Sequence, residues 1–147
     1  MIHRVIRPLV RWLLGALYLV AGWAHLTTPD PFLSITPGWV PYPDQVIYLT
    51  GLAEVAGAIA LLQPFGPLLR RAGGVGLAAY ALCVWPANFN HLLLDLARPG
   101  PETFGGWGLA YHLPRLAAQP MLIWAALWAG GVTSWPMRQP TGSASTE

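Results

Sequence analysis

In VWPANFNHLLLDL, residues 84–96, an apolar segment is interrupted by Pro86, Asn88, Asn90 and His91 before leucine resumes. Elsewhere Glu54 stands inside TGLAEVAGAIALL, His25 follows AGWA, and His112, Arg115 and Gln119 are spaced by three and four. These side chains can do chemistry. Glu54 can give or take a proton, the imidazoles can do either, and Arg115 is a permanent cation with a planar donor fork. Asn88 and Gln119 each offer a donor and an acceptor. Their surroundings make them informative: hydrophobic residues fill 54% of the 147 positions and charged residues only 10%, against about 25% charged in soluble domains. A charged side chain at the centre of a membrane helix costs roughly 2.5–3.5 kcal/mol, so embedded ionisable groups are usually paired and functional.

The elements that must carry these residues are membrane helices. Four stretches, about 12–28, 46–63, 73–93 and 112–133, are apolar over most of the length needed to cross a bilayer core, about 20 helical residues. The expectation is an all-α integral membrane four-helix bundle occupying residues 1–134, with 135–147 a disordered cytoplasmic tail. The first span follows Arg4, Arg7 and Arg11 and lacks a good small-x-small cleavage site, so it reads as a retained helix rather than a signal peptide. All eight basic residues are arginine. Arg4, Arg7, Arg11, Arg70, Arg71 and Arg138 fall on one side, Arg98 and Arg115 on the other, which places both termini in the cytoplasm. QPFGPLLRR reads as an inner turn and TTPDPFLSITPGWVPYPD, with its repeated prolines, as a capping outer loop. RPGPETFGGWG reads as a mobile second outer loop.

At about 1.5 Å per residue, His25 comes near the outer surface, Asn88 and Arg115 about a turn inside, Gln119 deeper and Glu54 close to the midplane. The embedded polar side chains therefore gather in the outer half. Helical angles put His112, Arg115 and Gln119 on one inward face, with Trp124 and Trp128 turned to lipid. Glu54 shares its face with Gly51, Gly57 and Ala58, small residues that let membrane helices approach. The candidate ligand-binding set is His25, Glu54, Asn88, His91, His112, Arg115 and Gln119, converging on one pocket open to the outer face, with Glu54 the best candidate for proton transfer and Arg115 its expected ion-pair partner. Blander readings compete. A Glu54–Arg115 pair can be purely structural, His25 and His112 can be merely solvated at the interface, Asn88 can bridge a Pro86 kink, and Asn90 and His91 can mark the end of the third helix.

AGWAHLTTPDPFLSITPGWVP, TGLAEVAGAIALLQP, VWPANFNH and RLAAQPMLIWAALW, in this order and spacing, resemble the DoxX family of small four-helix membrane proteins over roughly residues 13–130. The ordered set is His25, Glu54, Pro86-Ala87-Asn88 and Arg115 with Gln119; Leu26 and Ala117 depart from the pattern, an aromatic and a proline being expected there. The resemblance implies a link to quinone-coupled redox complexes, since the family takes its name from a membrane subunit of a thiosulfate:quinone oxidoreductase.

Together these readings give an expected role as a quinone-type small-molecule binding or accessory subunit of a membrane redox complex, in a bacterial inner membrane. Its expected associates are the lipid bilayer, a redox partner subunit and other copies of itself. Electrons would come from elsewhere, because Cys83 is the lone cysteine and no flavin fingerprint is present. No metal is expected, haem ligation lacks a facing histidine pair, and a net charge of +2 gives no nucleic-acid patch. The alternatives are a non-catalytic assembly protein with a structural polar cluster, and a transporter component.

Overall fold

The computed structural model describes residues 3–98 and 108–135. Its regular elements are all helical: α1 (His3–Thr27), α2 (Asp30–Leu33), α3 (Pro43–Leu62), α4 (Pro67–Leu96) and α5 (Gly108–Gly130). Val5–Thr27 of α1, Pro43–Leu62 and Pro67–Leu96 are each long and apolar enough to cross a membrane, and they mark the chain as a membrane protein. Pro43 and Pro67 open α3 and α4, positions where a missing N–H costs nothing. Most of the segment RPGPETFGGWG expected as a mobile second outer loop, residues 99–107, and most of the expected polar tail, residues 136–147, lie outside the described residues.

Several boundaries differ from expectation: α1 starts at His3 rather than near 12, α4 at Pro67 rather than near 73, and α5 at Gly108 rather than near 112. α4 is a 30-residue helix that carries Pro86 internally and runs past residue 93 to Leu96, so Asn90 and His91 are mid-helix and do not mark its end. Neighbouring helices and side chains support the backbone around a membrane proline, and a leucine run continues the turn pattern beyond it. The turn between α3 and α4 is also shorter than QPFGPLLRR, because Pro67 and its successors already belong to α4. Gln63 closes it: its side-chain amide donates to the Gly66 carbonyl at 2.9 Å and accepts from the Gly66 N–H at 3.1 Å.

The long helices pack in sequence, α1 on α3, α3 on α4 and α4 on α5, and α5 returns to α1. Neighbours run antiparallel, as the contacts show: Gly15 faces Leu62 while Gly22 faces Gly51. Leu14, Tyr18, Leu61, Leu77, Ala126 and Ala129 meet in the core. At the end where α1 begins, Arg7 donates to the carbonyls of Trp128 and Thr133, both at 2.8 Å, and Arg11 donates to the Ala129 carbonyl at 3.1 Å. The α5 C-terminus is thus capped from α1 by cations, which suits both its exposed carbonyls and its dipole. The same clamp overturns the lipid-facing reading of Trp128, which is buried under the Arg7 guanidinium with 5.2 Å from that group to the ring centroid.

Close approach of α4 and α5 depends on Gly74 and Gly130. A Cβ at Gly74 would lie 2.7 Å from the Ala126 carbonyl oxygen, and one at Gly130 would lie 2.9 Å from the Gly74 Cα. Backbone atoms cannot step aside cheaply. Gly74→Val is therefore expected to lower the stability of the detergent-solubilised protein by about 1–3 kcal/mol, read as a lower thermal midpoint, whereas Gly76→Val, beside open space, should change it little. Equal effects would contradict the packing argument.

Candidate functional site

Between the helices lies a cavity of about 370 Å³, within the usual range for small-molecule sites. α1 contributes Tyr18 and His25, α3 Thr50 and Glu54, α4 Tyr80, Cys83 and Asn88, and α5 Arg115 and Gln119; the rest of the wall is mainly apolar. Its roof is the segment between α1 and α3, through Phe32, Ile35, Trp39 and Val40. Two contacts hold that roof in place. The Asn90 side-chain amide donates to the Ile35 carbonyl at 2.9 Å, and Phe32 stacks on the His25 ring with centroids 3.7 Å apart.

Glu54 is 2% exposed. Its Oε2 lies 2.7 Å from His25 Nδ1, and the Tyr80 hydroxyl is close enough to interact with the same carboxyl group. The Ala21 carbonyl also lies 3.0 Å from His25 Nδ1. Both neighbours of that nitrogen are oxygens able only to accept, so Nδ1 carries the hydrogen. The N–H is aimed at the carbonyl; Oε2 sits beside it, close enough for electrostatic attraction but off the hydrogen-bond line, and accepts no hydrogen bond. Two other buried polar atoms of this cavity's lining residues, the Tyr18 hydroxyl and Gln119 Oε1, also have no hydrogen-bond partner among the described residues. Buried polar atoms left without a partner cost about 1–3 kcal/mol each, so three on residues that line one cavity leave hydrogen-bonding capacity there that the described residues do not use.

The expected Glu54–Arg115 pair does not form. Arg115 Nη1 lies 2.6 Å from His91 Nδ1, and its guanidinium stands over the Tyr111 ring, 5.7 Å from the centroid. Arg115 stands near the N-terminal end of α5, whereas Glu54 is reached from α1 by His25, which is closer and needs no long side chain to be ordered. Arginine can only donate, so His91 Nδ1 accepts, and the ring hydrogen of a neutral His91 is on Nε2, facing Asp95 Oδ2 at 3.8 Å. His112 Nε2 lies 2.8 Å from the same oxygen and donates to it. The result is a network running from Arg115 through His91 to Asp95, with His112 joining from α5. His112 is 1% exposed and His25 is buried, so neither is a merely solvated interfacial imidazole.

His91, Asp95 and His112 bring three ligand atoms within 4.8 Å of one another, a set that could hold a metal ion. The same atoms take part in the hydrogen-bonded network. The Nδ1 lone pair of His91 is engaged by Arg115, and the nitrogens of both histidines that face Asp95 carry hydrogens.

The candidate residues therefore divide. His25, Glu54, Asn88 and Gln119 border the large cavity; His91 borders a second one, Arg115 borders both, and His112 anchors the network behind them. A single convergent pocket is thus corrected to two polar clusters. Sequence reasoning passed over Tyr80, Asp95 and Tyr111 as site residues. Asp95 had a signal, since it stands four residues after His91 on the same helical face, but ending the helix at 93 hid it.

Residues 14–130 match the model of a family described as Domain of unknown function (DUF8561). The chain belongs to that family. No curated protein and no solved structure matches it. In this DUF8561 chain the match begins at Leu14 and ends at Gly130, so it takes in both polar clusters and the Gly74–Gly130 contact.

A double-mutant cycle tests the buried network. Asp95→Asn and His112→Phe are each expected to destabilise the protein, and their coupling energy should be about 1–3 kcal/mol, measured by equilibrium unfolding in mixed micelles. Additive effects would mean that the 2.8 Å contact carries no interaction energy.

Proposed function

We propose that this protein is a quinone-type small-molecule binding subunit of a membrane redox complex, with the ligand's ring in the 370 Å³ cavity. The observation that carries the reading is the combination of mainly apolar walls with three buried, unpartnered polar atoms, the Tyr18 hydroxyl, Glu54 Oε2 and Gln119 Oε1. A quinone supplies a flat apolar ring with carbonyl acceptors, and its reduced form supplies hydroxyl donors. Tyr18 donates to the former; Glu54 and Gln119 accept from the latter. Glu54 takes up or returns a proton as two electrons and two protons pass through the ring, and a partner subunit handles the electrons, since one thiol is all the redox chemistry this chain offers.

The proposal includes the membrane arrangement. α5 joins α1, α3 and α4 as a fourth span, its C-terminus docked beside the start of α1 by Arg7 and Arg11. Arg70, at the start of α4, belongs to the same end, where it donates to the Gln63 carbonyl at 3.3 Å. An arginine-rich end favours the cytoplasmic side, with both termini inside, and a bacterial inner membrane is the proposed location. The resemblance to the DoxX family supports the quinone link. One observation favours a second reading, a non-catalytic assembly protein: the Arg115–His91–Asp95–His112 network answers its own polar groups, as a structural cluster would.

Protein purified in mild detergent and extracted with organic solvent is expected to release quinone in roughly stoichiometric amount. Glu54→Gln, judged folded by circular dichroism, should retain at least about tenfold less, the loss of one charge-assisted hydrogen bond. Added quinone should also slow alkylation of Cys83, which borders the cavity. Quinone-free wild-type protein of full stability, unprotected at Cys83 by added quinone, would favour the assembly reading.

A further inference from the structure

A second cavity, of about 400 Å³, opens beside the first at the end of the molecule where α4 finishes and α5 begins. Its polar lining comes from Ser34, His91, Arg98, Tyr111 and Arg115. Two guanidinium groups thus face one space. Asp95 is the carboxylate nearest to them in the described ion pairs, and it is already committed: His112 Nε2 lies 2.8 Å from its Oδ2, and Arg98 reaches its Oδ1 only at 3.7 Å. Arg115 has no carboxylate within ion-pair distance among the described residues. It rests on an imidazole nitrogen at 2.6 Å and on the face of Tyr111, contacts that hold its plane in position and, among the described residues, leave most of its five N–H groups without an acceptor. Among the described residues, two positive charges set against one shared negative charge leave the lining cationic, and planar guanidinium forks match the oxygens of a phosphate.

We infer that this cavity is an anion site for a phosphate group, with Arg98 and Arg115 as its two arms and the His91–Asp95–His112 network as the brace that orients Arg115. Its place also fits. Arg98 follows the last turn of a helix long and apolar enough to cross a membrane, its side chain 72% exposed, a position that suits the depth of lipid headgroups. A phosphodiester of an anionic lipid and a free phosphate present the same oxygens, and the two sources separate experimentally. The site differs from the quinone cavity: Arg98 does not border that cavity, so its substitution reads the phosphate site without touching the other.

The test uses wild-type protein, Arg98→Gln, and Arg98→Gln combined with Arg115→Lys, which keeps the charge but removes the fork. Each is extracted from vesicles of equal phosphatidylglycerol and phosphatidylcholine, and retained lipid is counted by native mass spectrometry; thermal midpoints are then measured with and without inorganic phosphate. Wild type is expected to retain phosphatidylglycerol over phosphatidylcholine by about tenfold or more, Arg98→Gln to lose much of that preference and the double variant nearly all of it, each lost charge-assisted contact being worth about a factor of ten. A rise in midpoint with inorganic phosphate, absent in the variants and without lipid preference, would establish the site for a soluble phosphate. Equal retention of both lipids with no effect of phosphate would overturn the inference, as would folded variants that behave like wild type.

Discussion

Removing a carboxylate from water inside a membrane protein is tolerable only if donors are already waiting for it, and Glu54 sets that condition for everything around it. Its nearest polar neighbours, His25 and Tyr80, come from α1 and α4 on either side of α3. His25 gets close enough because α1 and α3 touch through glycine: a Cβ on Gly51 would lie 2.8 Å from the His25 Cβ, and one on Gly22 would lie 2.8 Å from the Gly51 carbonyl oxygen. Helix contact and acid placement are therefore one constraint. Spreading α1 from α3 by a methyl group would also draw the imidazole away from the acid.

The same constraint explains why the polar residues separate into two groups. Once His25 serves Glu54, Arg115 is released from that duty and turns toward the end at which α4 finishes and α5 begins, where His91 and Tyr111 hold it. One group is answered incompletely and surrounds an apolar cavity; the other is a hydrogen-bonded chain beside a cationic one. Arg115, Phe32 and Ile35 border both spaces, so the roof segment is the shared wall between them. Its two anchors, Asn90 to Ile35 and Phe32 on His25, each tie it to a helix that carries a polar cluster.

Much of this was legible one residue at a time. Glu54 in an apolar helix, the glycines on its face and the polar triplet at 112, 115 and 119 all declare themselves through helical periodicity and the cost of burying charge. Partner choice was not legible. Arg115 looked like the natural partner of Glu54 because both are charged and embedded, yet His25 needs less side-chain ordering to arrive and reaches the acid through a contact that only glycine permits. Trp128 misled for a related reason: its angle on α5 points it away from the polar face, but α1 lies on that side and covers it with Arg7. Tyr80 carried no signal, since a tyrosine in a membrane helix is ordinary until its hydroxyl is seen beside an acid.

Composition and periodicity alone determined that the chain is helical and built for a bilayer, because a backbone in lipid must satisfy its own hydrogen bonds and long apolar runs can do so only as helices. They also determined that its few embedded charges would gather toward one end, since position along a helix is linear in residue number. Only the tertiary structure decided which acid met which base and where empty space was left. Those outcomes depend on the distance and rotation between helices, set by small residues meeting far apart in the chain, and a one-dimensional spacing carries neither quantity.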